Sequence, residues 1–257
     1  MSLATRERSK TIHLRSNALR AVFVGDRALV LECADLALSD GLYVVGVVSS
    51  HPAAATWATS KGVPLRSPSI GLDSALADFD AEVLVSVGNF RIISGESLRR
   101  FELAVNFHDG PLPDLAGRNA TSWALLTGAK SHAVTWHLLT EAVDGGEIVA
   151  TAGIAVSPEE TAYSLNTKCF SAAITSFPAV VAAIVRGEVI VSPQPDRPAC
   201  YHGRHDRPSI ETVVDPRRKA ADTLRVIRAL DLGSRIRNLS LIHISTTVSS
   251  STSPSRR

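Results

Sequence analysis

The sequence predicts an α/β protein with a doubly wound, mostly parallel sheet, and three observations predict it. Short β-branched runs alternate with longer amphipathic ones from residue 21 onward. Gly closes most of the amphipathic runs, as a helix C-terminus requires. At 257 residues and 45% hydrophobic content the chain can bury one sizeable α/β domain with an appendage, or two small domains.

AVFVG (21–25) reads as a buried strand, RALVLECADLALSDG (27–41) as a helix ending at Gly41, and LYVVGVVSS (42–50) as the next strand. ATWATSKGVPL (55–65) reads as a short helix and a connection. DSALADFD (73–80) follows as a helix, AEVLVSVG (81–88) as a strand, SGESLRRF (94–101) as a helix and LAVNF (103–107) as a strand. In the second half NATSWALLTG (119–128) reads as a helix closed by Gly128, and HAVTWHLL (132–139) and EIVATAGIAV (147–156) as strands. Ser157 as N-cap, Pro158 at N1 and Glu160 at N3 predict a capping box. The helix it opens should run to about Arg186, with a kink at Pro178, and stop at Gly187. SPQPDRPACYHGRHDRPS is too rich in Pro and charge for regular structure, and 215–233 returns to one basic helix.

These elements divide the chain. Residues 1–19 are expected to be an unstructured basic terminus, with five basic residues and one acid in the first 20; a transit peptide is the less favoured reading of that run. Residues 20–190 form the main domain, 191–238 an irregular segment and helix, and 239–257 a disordered tail. The last fourteen residues hold nine Ser or Thr and cannot bury a core. LSLIHIS (239–245) fits the preceding pattern poorly, as read-through into vector DNA would.

Composition narrows the partners. With 27 basic and 25 acidic residues the net charge is +2, which makes no case for nucleic acid or an anionic membrane. No apolar run is expected to approach the length of about 20 residues that a membrane-spanning helix needs. Cys33, Cys169 and Cys200 are too scattered for a disulfide framework or a metal site, and His202 and His205 lack companions for coordination. A small molecule or a protein is the expected partner, and a reducing, cytoplasmic compartment the expected setting.

The residues that can do chemistry lie in NFHDGPLPDLAG (106–117). LAVNF delivers Asn106 and His108 to the carboxyl edge of the sheet, where open α/β sheets bind ligands. At i and i+2 both side chains face one crevice. An Asn amide can stabilise an oxyanion and a nearby His can move a proton, although capping a loop is the plainer reading of such a pair. Asp144, before Gly145 and Gly146 in TEAVDGGEIVA (140–150), brings a carboxylate back to the same edge and would favour and orient a protonated imidazole; an ordinary Asp-Gly turn is its plainer reading. His137 shares a strand face with Thr135 and reads equally well as crevice lining or as a satisfied structural His. Trp123 and Trp136 read as core, and Tyr163, Asn166 and Cys169 as one packing face.

N-x-H, then LP-x-x-x-G-R, then V-T-W-H and V-D-x-G at this spacing resemble the 10-formyltetrahydrofolate-dependent formyltransferases, over about residues 20–190. The resemblance implies a Rossmann-like formyltransferase fold and an enzyme moving a formyl group to a primary amine. It implies that Asn106 polarises the formyl carbonyl, that His108 is the general acid/base and that Asp144 sets the state of His108. It places the folate against Arg91, Ile92 and Ile93, against Gly110, Pro111, Leu112, Pro113 and Arg118, and against Thr140, Glu141, Ala142 and Val143. It implies 10-formyltetrahydrofolate as donor and no metal. HDGPLPDLAGRNATSWALL and ETAYSLNTKCFSAAITSF most resemble the formylation domains of nonribosomal-peptide and other amino-acid-adenylating synthetases, which implies an amino acid or a carrier-protein-bound aminoacyl group as acceptor.

The chain departs from the pattern at GPLP, where the family usually has Ser-Leu-Leu-Pro, and at Ala116, where it usually has Arg. VGDRALVL lacks the Gly-Ser-Asn phosphate loop of purine-pathway members, which disfavours a sugar-phosphate acceptor. The competing expectations are a formyltetrahydrofolate hydrolase and a catalytically silent docking module.

Overall fold

The computed structural model describes residues 9–15, 19–195, 200–206 and 219–233. The expectations for residues 1–8 and for the tail beyond 233 fall outside that range. Strands β1 (Lys10–His13), β2 (Arg20–Val24), β3 (Tyr43–Val48), β4 (Leu65–Arg66), β5 (Val83–Val87), β6 (Leu103–His108), β7 (Ala116–Gly117), β8 (Ser131–Leu138), β9 (Ile148–Ala155), β10 (Glu188–Val191) and β11 (Tyr201–His202) alternate with helices. These are α1 (Ala28–Ser39), α2 (Ala54–Lys61), α3 (Leu72–Ala77), α4 (Gly95–Leu98), α5 (Ala120–Leu126), α6 (Ala162–Val185) and α7 (Ala220–Leu230).

Seven strands make the central sheet in the order β4-β3-β2-β5-β6-β8-β9. The first five pair in parallel, while β8 runs antiparallel to β6 and β9 antiparallel to β8. Strand β5 lies at the middle and is buried at all five positions, which explains a VLVSV run apolar at every position but Ser86: with helices on both faces no position can be polar for solvent's sake.

The two faces bury alternate residues of the same strands. Ala21, Phe23, Val85, Phe107 and Trp136 meet α1 and α6 on one face. Val22, Val24 and Leu84 meet α3, Phe79 and Phe101 on the other. Trp136 stacks on Phe177 of α6 with ring centroids 4.7 Å apart, and its Nε1 donates to Ser176 Oγ at 2.9 Å. The core reading of Trp136 therefore fits its place.

Several expectations are corrected. Lys10–His13, within the segment expected to be unstructured, pair antiparallel with β10, an element the sequence pattern did not reveal. Helix α6 starts at Ala162, with Thr161 as N-cap in a reciprocal box with Ser164, four residues beyond the predicted start. Ser157 and Glu160 instead close a turn, Ser157 N donating to the Glu160 carboxylate at 3.2 Å, and Glu160 continues into the helix by pairing with Lys168. The turn that Ser157 and Glu160 close thus belongs to the approach, not to the helix.

Helix α6 also has the length and apolar composition to cross a membrane, contrary to the expectation that no run approaches that length. Its Leu165, Cys169, Ala173, Phe177, Val181 and Ile184 recur at helical spacing and are buried, so that stripe is spent on the sheet.

Candidate active site

The candidate site forms where β6 and β8 run side by side. Their register sets Asn106 opposite His137 and His108 opposite Thr135, and opposed residues show their side chains to one face. A bulge on β9 opposite the Trp136–His137 step breaks the β8–β9 register at this point, a device that re-aims a strand next to a site. Between β8 and β9 the chain turns back over the sheet edge and presents Asp144.

Asp144 has φ 51°, in the left-handed region, which Asp and Asn tolerate better than most side chains. Three bonds from elsewhere hold it and its turn, two of them to Asp144 itself. Gly117 N–H donates to its Oδ2 at 2.7 Å, and the Gln194 amide donates to the carbonyls of Asp144 and Gly146 at 2.6 and 2.8 Å. Gly117 itself can only be Gly: φ is 93°, and a Cβ there would lie 2.2 Å from the His202 carbonyl.

Two imidazoles flank the carboxylate. His108 Nδ1 lies 3.5 Å from Asp144 Oδ2 and His137 Nε2 lies 3.4 Å from Oδ1. The side chains of His108, His137 and Asp144 are 6%, 2% and 9% exposed, so the group is shielded from bulk water. Burial alone would raise the Asp144 carboxyl, but hydrogen bonding to His137, the nearby His108 and the Gly117 N–H outweigh it and hold it below the usual carboxylate range.

The ring partners determine what each imidazole can do. His108 Nε2 lies 2.7 Å from the Leu115 carbonyl, which only accepts, so this nitrogen carries a proton. His137 Nδ1 is likewise tied to the Leu138 carbonyl at 2.9 Å. Its Nε2 stands between Asn106 Nδ2 at 3.0 Å and the Asp144 carboxylate. One nitrogen cannot accept from the amide and donate to the carboxylate at once. The neutral ring therefore holds Asn106, and the cation holds Asp144.

A depressed carboxyl is a statement about folding. Asp144 contributes stability that is present above the unfolded-state value of about 3.9 and is lost as pH falls through its lower folded value. Urea titrations of wild type and Asp144→Asn between pH 6 and pH 3 should show the wild type losing more of its stability on acidification. Parallel losses would show that Asp144 is not protected in the fold.

The residues expected to line the folate pocket divide into three groups. Arg91 is exposed and paired with Asp26, and Ile92 is 74% exposed, but Ile93 is buried against the sheet and can offer only backbone. Gly110 is tied down by Thr135 Oγ1, which donates to its carbonyl at 2.8 Å. Leu112 and Pro113 are buried, joined by a cis peptide bond, and Pro111 is partly buried. Arg118 sits with its guanidinium carbon 4.6 Å from the Phe90 ring centre and donates to the Phe90 carbonyl. Thr140 to Val143 form an exposed turn in which Thr140 Oγ1 donates to the Ala142 carbonyl and Glu141 pairs with Arg99.

The structure thus brings Asn106, His108 and Asp144 together and adds three groups that spacing left open or missed. His137 enters through the β6–β8 register. Gly117 enters through its backbone, and Gln194 from the Pro-rich segment, where no local signal marked it. Trp123, expected in the core, is only partly buried and stacks face to face on His202 at 4.0 Å. The expected packing face on α6 is split: Cys169 is buried, Tyr163 is 58% exposed and Asn166 donates to Asp109.

The chain is similar in sequence and fold to known proteins. Residues 37–181 match the family model described as formyl transferase. An N-formyltransferase from Helicobacter canadensis, solved with folinic acid and dTDP-3-aminofucose, superposes with a TM-score of 0.70 at 16% identity, over 82% of this chain and 80% of that one. Glycinamide ribonucleotide transformylase 1 from Symbiobacterium toebii gives 0.61 at 21% identity, over 67% and 90%. HypX from Aquifex aeolicus, solved with tetrahydrofolic acid, gives 0.64 at 18% identity, over 84% of this chain and 35% of that one.

Proposed function

The chain belongs to the formyl transferase family, and from that premise we propose that it moves a formyl group from 10-formyltetrahydrofolate to a primary amine, that of an amino acid or a carrier-protein-bound aminoacyl group in nonribosomal-peptide or related biosynthesis. The observation that carries the transfer chemistry is the closure of His108 and His137 on one buried carboxylate, Asp144, with Asn106 held against His137.

The steps follow from what each group can donate. The neutral amine attacks the formyl carbon, and Asn106 Nδ2–H stabilises the oxyanion that forms. The amine must lose a proton and the folate nitrogen must gain one as its bond to carbon breaks; His108 carries that proton. To do so its Nε2 releases the Leu115 carbonyl, so binding has to shift the GPLPDL loop. Asp144 compensates the imidazolium throughout. The folate is proposed to lie between the exposed turns 91–93 and 140–143 and the 110–118 segment.

Asp26 bears on the acceptor. It sits one residue before the N-cap of α1, where phosphate-binding folds place their anion, and accepts from Ser50 N and Oγ at 2.9 and 2.6 Å while pairing with Arg91. A phosphate there would meet a carboxylate, which supports an acceptor without one at this position. A sugar amine is the second reading, favoured by the Helicobacter canadensis match with its bound dTDP-3-aminofucose. Cys33, Cys169 and Cys200 are free thiols, which supports the cytoplasm as the setting.

The test is tetrahydrofolate release from 10-formyltetrahydrofolate with a panel of acceptors: free amino acids, aminoacyl-pantetheine thioesters, a dTDP-amino sugar, glycinamide ribonucleotide, and none. Turnover with the first two is expected. Turnover with the amino sugar alone would move the assignment to the second reading, and equal release without any amine would make the protein a hydrolase.

A further inference from the structure

Ser86 is a hydroxyl in an apolar position. It lies within β5, is fully buried, and its Oγ has no hydrogen-bond partner among the described residues. An unpaired buried hydroxyl costs the fold stability, so its neighbours decide whether the cost has a use. In the parallel registers Ser86 stands opposite Val24 of β2 on one side and Asn106 of β6 on the other. In-register residues show their side chains to the same face. Val24 belongs to the apolar cluster and offers no acceptor. The row continues from Asn106 to His137 of β8. Asn106 is thus flanked by an imidazole that holds its Nδ2 at 3.0 Å and by a hydroxyl without a partner.

We propose that Ser86 is a positioning residue of the transfer site: its hydroxyl donates to Oδ1 of Asn106 as the carboxamide turns to offer Nδ2–H to the formyl oxygen. An Asn side chain can present either end of its amide. The flipped orientation would set an acceptor against a developing oxyanion and raise the barrier. The neutral His137 Nε2, an acceptor only, sets the sense of the amide, and the Ser86 hydroxyl, which can donate or accept, then holds the Oδ1 end in place by donating to it. In the resting protein the hydroxyl is held unpaired, the kind of local cost that proteins retain at functional sites. The inference rests on the formyl-transfer reading above.

The experiment compares wild type, Ser86→Ala, Ser86→Thr, Asn106→Ala and the Ser86→Ala/Asn106→Ala double variant. Tetrahydrofolate release from 10-formyltetrahydrofolate is followed with hydroxylamine as probe amine, alongside thermal melts. Loss of one neutral hydrogen bond in the transition state should lower kcat of Ser86→Ala about five- to tenfold, with KM for the folate unchanged. Its Tm should stay level or rise, because the unpaired hydroxyl is gone. Ser86→Thr, which keeps the hydroxyl, should restore most of the turnover. In the Asn106→Ala background Ser86→Ala should change nothing further. A Ser86→Ala enzyme with wild-type kcat would overturn the assignment, as would an equal loss in both backgrounds. Wild-type protein that neither binds nor consumes 10-formyltetrahydrofolate would overturn the formyl-transfer reading itself, and Ser86 with it.

Discussion

His108→Ala is expected to lower formyl transfer by about 10²- to 10⁴-fold, the range for loss of a positioned general acid/base, with folate affinity nearly unchanged. The substitution removes a side chain that is 6% exposed and that donates to the Leu115 carbonyl. Leaving that carbonyl unpaired costs about 1–3 kcal/mol, within what a domain of this size tolerates. The fold should therefore persist, with circular dichroism and the melting profile as controls. The decisive numbers are kcat and the folate Kd measured on the same preparation. A folded variant with near-normal turnover would remove His108 from the chemistry and leave it a loop anchor.

Asp144→Asn should lower turnover by a similar factor, about 10²- to 10⁴-fold, for a reason that is almost purely electrostatic. Asn adopts the left-handed backbone that Asp144 occupies at φ 51°, and its carbonyl can still accept from Gly117 N–H, now 2.7 Å from Oδ2. What disappears is the charge that compensates an imidazolium on His108 or His137, 3.5 and 3.4 Å away. Because His108 and Asp144 would act as a unit, the double variant should be no slower than His108→Ala alone. Additive losses would mean that Asp144 serves the site by some route other than His108.

Both experiments concern residues that could be named from spacing. Asn106 and His108 are two apart at the end of a strand, and strand geometry puts them on one face whatever the rest of the chain does. Asp144 precedes Gly145 and Gly146, and such a turn between two strands returns to the sheet edge. His137 is different. Its parity set a face, but only the β6–β8 register opposite Asn106, with the β9 bulge beside it, brought its Nε2 between the amide and the carboxylate. Ser86 followed the same rule: in sequence it is a polar interruption of VLVSV, and in the sheet it is the neighbour of Asn106.

The start of α6 shows the opposite limit. The sequence pointed to Ser157 as the N-cap, but the helix begins after Thr161, where Ala162 and Leu165 pack into the apolar cluster with α5 and α7. Lys10–His13 became a strand because β10 offered its edge, which nothing local to either segment announces.

By itself, then, the sequence determined the alternation of strands and helices, the face each strand residue would show, and the pair Asn106 and His108 with Asp144 as their partner. These depend on side-chain period and turn chemistry, which act within a few residues. Only the tertiary structure decided register, loop closure and donor–acceptor pairing: His137 against Asn106, Leu115 against His108, Gly117 and Gln194 around Asp144. Those contacts join atoms 7 to 50 positions apart in the chain, and at such separations pairing is set by how whole elements pack.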